Sequence, residues 1–360
     1  MIHCPYAHIS RRPPPLRSVE LPPFAFGLRG TGRRAGRFHH HPIIMSTFLV
    51  AGSIAYDMLL TYDGSFTDGL NPDKLDELSV GYVTRHLVKH HGGTAANIAW
   101  NFALLKQPVM IAGSIGRDGD EYMKRLKERG IDTSLIVERP EHVTATAIIG
   151  TDSGERQITF YHPGADQETQ PPDISTFKTS LHFVLVSPHN ATSMEQTTHA
   201  CRENGIPYIF DPGQQSLEFP RDDLRRMVHG SAAVIANAYE WALLRDALEW
   251  SVNEVMEYAG LLVVTQGEHG LNVQTAEQSI QIAAVPAENL VNPTGAGDAL
   301  RAGLVTGLGL GWDIRDSARL GAALASFVVE QEGTQLEHFD LKTLSARAAE
   351  VYGEALPPIR

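Results

Sequence analysis

The chain has 360 residues, 42% of them hydrophobic and 20% charged, an ordinary globular composition with length enough for a large buried core. Its net charge of −12 is unevenly spread: residues 1–44 carry seven arginines and one acid, Glu20, which leaves −18 on the remainder and argues against nucleic acid as the main partner. No apolar run reaches the roughly 18 residues of a membrane span, and two cysteines, Cys4 and Cys201, without metal-ligand spacing predict neither a disulfide framework nor a structural zinc and fit a reducing cytoplasm.

Residues 1–44 hold seven prolines, no lysine and no helical or strand period, and read as a disordered N-terminal extension. The stretch "MSTFLVAGSIAYD" from Met45 reads as a fresh start, so the segment is expected to be an upstream leader. Arg-rich, acid-poor composition also suits an organelle transit peptide or a functional tail. The triple His39–His41 has no partner ligands nearby.

From residue 45 to 360 the pattern is that of one domain. "TFLVAG" (47–52) predicts a buried strand, and "TAANIAWNFALL" (94–105) has the 3.6-residue spacing of a helix. "VMIAGSIG" (109–116) predicts a strand and "DEYMKRLKERG" (120–130) a helix with a glycine stop. Further short apolar runs are "HFVLVSP" (182–188), "PYIFDPG" (207–213), "AAVIANA" (232–238) and "GLLVVTQG" (260–267), separated by helical stretches. Such alternation predicts a three-layer, doubly wound α/β fold with a mostly parallel sheet. Residues 54–91 and 143–163 break the rhythm with alternating patterns such as "TATAIIGT" and "RQITFYH". They predict a small antiparallel sheet projecting as a lid, whose uncovered face would meet a ligand or a second copy in a homodimer.

The stretch "NPTGAGDALRAG" (292–303) sets Gly295, Ala296 and Gly297 before Asp298 at the mouth of a helical pattern, with Thr294 a candidate N-cap. A helix start leaves amide N–H groups unpaired, and small residues let an anion approach them closely. Asp298 would then stand beside the anion and could take a proton from an attacking hydroxyl. The plainer reading is a Gly-rich turn with Asp298 stabilising the first helical turn. No GxxxxGK[ST] occurs, and no GxGxxG follows the first strand, so neither a P-loop nor a dinucleotide fold is supported.

This region resembles the second signature of the ribokinase-type (PfkB) carbohydrate and nucleoside kinases. "HGGTAANIAWNFALL" (91–105) is similar to the family's first signature, "GSIAYD" (52–57) to its first strand end, "NAYE" (237–240) to its NxxE element and "VTQGEHG" (264–270) to its nucleotide-phosphate loop. The five elements stand in the family's order across residues 46–340. The resemblance implies a ribokinase-like ATP-dependent kinase using Mg²⁺. Asp298 would be the base and Gly295, Ala296 and Gly297 the anion hole. Asp57, Gly92, Gly93 and Asn97, with Ser53, would bind sugar hydroxyls. Asn237 and Glu240 would organise Mg²⁺ and phosphate through water, and Thr265, Gly267 and Gly270 would lie along the nucleotide. Each has a plain alternative: a turn aspartate, a helix cap, a solvated helix end, turn glycines.

"GDALRAG", with Arg301 one helical turn past Asp298, and the Gln214–Gln215 pair in "FDPGQQ" (210–215) resemble the bacterial adenosine and nucleoside kinase branch. Glutamine offers both donor and acceptor, as a purine edge requires. Phe160 and Tyr161, on a predicted lid strand, suit stacking on a base or packing of the lid. The expected reaction is therefore phosphorylation of the 5'-hydroxyl of a purine ribonucleoside such as adenosine. The alternatives are a sugar kinase acting on ribose or fructose and a catalytically silent binding protein of the same fold. Arg301 could equally form a structural ion pair. Where the family has an aspartate six residues before the base, this chain has Asn292, which puts activation by a monovalent cation in doubt.

Overall fold

The computed structural model describes residues 47–69 and 79–359; the expected leader lies outside the described residues. Strand β1 (Thr47–Ala51) leads into β2 (Ala55–Thr61), and β3 (His86–Gly92) runs straight into α1 (Thr94–Leu104). Then come β4 (Val109–Gly116), α2 (Asp120–Glu128), β5 (Asp132–Arg139), and the hairpin of β6 (Ala145–Thr151) and β7 (Gln157–His162). The second half alternates β8 (Leu181–Val186), α3 (Ala191–Asn204), β9 (Tyr208–Phe210), α4 (Arg221–Val228), β10 (Ala233–Asn237), α5 (Ala238–Leu248), α6 (Val252–Tyr258) and β11 (Leu262–Thr265). It closes with β12 (Leu271–Gln274), β13 (Ser279–Ile282), α7 (Ala296–Gly309), α8 (Ile314–Val328) and α9 (Leu341–Tyr352).

The main sheet has the order β13-β12-β11-β10-β9-β8-β1-β4-β5, parallel from β11 to β5, with β12 and β13 antiparallel at one edge. Strand period explains the three layers. In β1, Phe48 and Val50 pack into a core shared with α1, α2, α7, α8 and α9, while Leu49 and Ala51 face the core built with α3, α4, α5 and α6. Strands covered on both faces read as unbroken apolar runs, which is why they stand out in the sequence. The glycines within α7 are a packing device: a Cβ at Gly303 would stand 2.6 Å from the Gly321 Cα on α8.

The lid is a four-stranded sheet, β3-β2-β6-β7, and its strands fall within the two segments whose patterns alternate, save Gly92 at the end of β3. Its outer pairs, β2–β3 and β6–β7, are antiparallel, but the central pair β2–β6 is parallel. The two strands follow β1 and β5, which run the same way in the main sheet. Among the described residues no helix is long and apolar enough to cross a membrane.

Candidate active site

The carboxyl ends of the parallel strands open along one edge of the sheet, where open α/β sheets bind ligands. Asp57 lies on β2, which follows β1; Asp211 follows β9, Asn237 ends β10, Thr265 ends β11, and the start of α7 faces them.

Helix α7 begins at Ala296. Its N-cap is Gly295 (φ +86°), not Thr294, and no side chain caps it. The amide of Thr294 instead donates to the Asn292 side chain, 2.9 Å, so the turn before the helix is closed by Asn292. A left-handed N-cap without a side chain suits glycine, whose missing Cβ would also press on Thr334 at 2.9 Å. Among the described residues no group accepts from the amides of Gly297 and Asp298. They form the bare, positive helix end that an anion needs.

Asp298 is half-buried, and desolvation pushes its pKa up to about 7, against the pull of Arg301 and a hydrogen bond from Asn97. Asn97 Nδ2 donates to Asp298 Oδ2 at 2.9 Å. Its Oδ1 accepts from Thr334 Oγ1 (2.9 Å) and Gln335 Nε2 (3.3 Å). Asn97 therefore sits a turn inside α1 and orients the carboxylate; it does not cap the helix. That cap comes from Ser53, whose Oγ accepts from the Thr94 amide at 3.0 Å, so the hydroxyl expected to touch substrate is already engaged as an acceptor.

Asp57 lies over the end of β3. A Cβ at Gly92 would stand 2.2 Å from Asp57 Oδ2, and one at Gly93 (φ +88°) 2.6 Å from the Ser53 carbonyl. The glycine pair thus lets β3 pass beneath Asp57 and turn into α1. Burial raises the Asp57 pKa to about 6. Across the lid, His90, Asp57, Ala147 and Tyr161 stand in one row and so share a face. Phe160, one residue earlier, points the other way, so only Tyr161 of the aromatic pair shares the face of Asp57.

On the nucleotide side, Asn237, Ala238, Tyr239, Thr265, Gln266, Gly267 and His269 line an open cleft of about 630 Å³. Asn237 and Glu240 form a reciprocal capping box at the start of α5, with each side chain accepting from the other's amide at 2.8 Å. Burial raises the Glu240 pKa, and its Oε1 has no partner among the described residues. Gly270 is not in the cleft: it is buried at the β11–β12 turn, where a Cβ would stand 2.0 Å from the Ile282 carbonyl. Gly267 (φ +57°) has open space around it and remains in the cleft wall.

Arg301 is an ion pair. Its Nε lies 2.5 Å from Asp211 Oδ2, its Nη2 donates to Asp211 Oδ1 at 2.8 Å, and Glu240 is 4.0 Å away. Gln214 is exposed and Gln215 half-buried, its amide placed to donate to the Glu218 carboxylate. They stand on a short surface turn just after Asp211. Asp211, Thr334, Gln335 and Tyr122, whose hydroxyl accepts from Gln335 Nε2 at 2.7 Å, were not singled out in the sequence. Asp211 stands in "FDPGQQ", and its acid could have been matched to Arg301. The segment holding Thr334 and Gln335 has no period to flag it. A trio of Glu141, His142 and Glu168 has ligand atoms within 4.8 Å of one another near the lid root, apart from Glu240.

Residues 59–339 match the pfkB family carbohydrate kinase profile. A nucleoside kinase of Methanothermobacter thermautotrophicus is 31% identical over 288 residues, 78% of this chain and 91% of the relative. One from Methanocaldococcus jannaschii is 29% identical over 270 residues, 74% of this chain and 87% of the relative. The solved nucleoside kinase of Burkholderia thailandensis in complex with inosine superimposes with a TM-score of 0.78 at 30% identity, over 86% of this chain and 99% of that one. With a helix end built for an anion, a carboxylate beside it and a ribokinase-like fold around both, the chain belongs to the pfkB family of carbohydrate kinases and is an ATP-dependent kinase.

Proposed function

We propose that this kinase transfers the γ-phosphoryl group of ATP to the 5'-hydroxyl of a purine ribonucleoside. The observation that carries the reading is the meeting of Asp298 with the uncapped start of α7 in one cleft. In this reading Asp57 accepts from the ribose hydroxyls and Asp298 takes the proton of the attacking hydroxyl. The amides of Gly297 and Asp298 hold the charge of the phosphoryl group in flight. Phosphoryl transfer asks mostly for positioning and charge stabilisation, which this site is built to supply. Mg²⁺ favours oxygen ligands, and Glu240, with Oε1 spare, fits it through water; bound there, the ion would neutralise charge on the nucleotide phosphates.

The nucleoside preference is supported by the kinases named above and by Tyr161, which stands on the lid face of Asp57, where a base can stack. The opposite lid face carries exposed Leu87, Ile148, Ile158 and Phe160 together, and we assign it to pairing with a second copy. The test is kcat/KM with ATP for adenosine, inosine, guanosine, ribose and fructose. Nucleosides should lead by about tenfold to a hundredfold, the scale of one satisfied polar contact. A lead for ribose or fructose would make the chain a sugar kinase, and no turnover of any acceptor would make it a silent binder.

A further inference from the structure

We propose that Arg301 is a positioning residue of the phosphoryl-transfer site: it keeps Asp298 in its proton-accepting form and ties the anion hole to Asp211 and Glu240. The proposal rests on the reading of Asp298 as base. Its grounds are geometric. Arg301 sits three residues past Asp298 on α7, the spacing that puts both on one helix face. Its guanidinium is buried in a helix whose residues 299 to 308 are all buried. One edge grips Asp211 at 2.5 and 2.8 Å, and Nη2 also faces Glu240 at 4.0 Å. The other end, Nη1, lies under the anion hole: a Cβ at Gly297 would stand 2.8 Å from it. Among the described residues no group accepts from Nη1. One buried cation therefore touches the start of α7, the end of β9 and the start of α5.

A purely structural ion pair would need Asp211 alone. Such pairs are poor stabilisers compared with apolar residues of the same shape, so a charge buried in an otherwise small-residue and apolar helix asks for another use. The use is electrostatic. Asp298 is faced by Arg301 from its own helix, Asn97 from α1, Asp211 from the end of β9 and Asp57 from β2. Desolvation and the two other carboxylates favour its protonated form; Arg301 and Asn97 oppose them, and Arg301 is the stronger of the two. A base that is protonated cannot accept the hydroxyl proton. The glycine at 297 then has a double reason: a side chain there would block both the anion and the guanidinium.

The test follows the Asp298 carboxyl by ¹³C NMR across pH in the full chain, its signal assigned by its loss in Asp298→Asn. The variants are Arg301→Lys, Arg301→Met and the double variant Arg301→Met/Asp211→Asn, which removes both charges and so avoids stranding Asp211. The proposal expects the Asp298 midpoint to rise by about one pH unit or more where the cation is lost, less in the double variant, and to stay near the parent's in Arg301→Lys. The acid limb of kcat, measured with inosine and ATP–Mg²⁺, should move with it. An unmoved midpoint in folded Arg301→Met, or in the double variant relative to Asp211→Asn alone, overturns the role of Arg301. A midpoint that moves while the kcat limb stays put overturns the base reading, and this proposal with it.

Discussion

Asp298→Asn separates a catalytic from a structural role for the carboxylate. The amide has the same shape, and its Oδ1 can keep the 2.9 Å hydrogen bond from Asn97 Nδ2, so the geometry of the cleft is preserved. What is lost is the ability to take a proton. A positioned base contributes about 10²–10⁴-fold, so kcat should fall at least a hundredfold with nearly unchanged affinity for nucleoside and ATP. Stability moves the other way. The folded pKa of Asp298, about 7, is above the ordinary carboxylate value of 3.8, so its charge weakens the fold above about pH 7, and that cost fades as pH falls and the group protonates. Removing the charge relieves this, against a loss of about 0.3–1 kcal/mol in helix-dipole interaction. The variant should therefore melt at or above the parent's temperature at about pH 8, with the gap closing toward pH 5. In the parent, kcat should rise with pH through about 7 as the base ionises. The measurements are kcat, nucleoside Kd and melting temperature on one variant. A kcat within about threefold of the parent would remove Asp298 from the mechanism.

Asp57→Asn should lower kcat/KM for nucleosides by about tenfold to a hundredfold, the worth of hydrogen bonds to a charged acceptor, without lowering the melting temperature, since burial already disfavours its charge. Steady-state kinetics and a thermal melt check both halves. Potassium should activate only weakly relative to a large organic cation at equal ionic strength. Asn292 Nδ2 donates to the Glu332 carbonyl at 2.8 Å, tying the turn before the anion hole with a neutral group; strong activation would refute this. Phe160→Asp should shift the sedimentation coefficient toward a monomer if the apolar lid face pairs two copies, and an unchanged coefficient rejects that interface. A chain beginning at Met45 should keep the kcat/KM and melting temperature of the full chain, because the proline-rich segment before it has no helical or strand period; a tenfold loss would show that residues 1–44 dock on the body.

The buried strands were plain in the sequence because sheet residues covered on both faces form unbroken apolar runs. Helix α1 was plain because a run of helix-forming apolar residues follows a glycine pair, although the helix is buried nearly all round. The lid was marked by alternation, yet its parallel central pair was not, since strand direction depends on where the chain leaves the main sheet. In the site, Gly295, Ala296, Gly297 and Asp298 were legible as a motif, but the cap was misplaced by one residue. Thr294 has capping chemistry, while the turn is closed by Asn292 and a left-handed glycine. Ser53, Gly93 and Gly270 were legible as special positions, but what they meet is backbone from distant segments, which no local pattern encodes. The same holds for Thr334 and Gln335, more than 230 residues from the Asn97 they hold. The exposure of Gln214 follows from the surface turn after β9, which no local pattern encodes.

The central claim is that the hydroxyl brought to Asp298 is the 5'-hydroxyl of a nucleoside. It is tested most directly by ³¹P NMR of the product formed from inosine and ATP, coupled to the sugar protons. The account predicts a single new monophosphate whose phosphorus couples to the pair of C5' protons. A phosphorus coupled to one ring proton, or no new phosphate from inosine while ribose is phosphorylated under the same conditions, would contradict it.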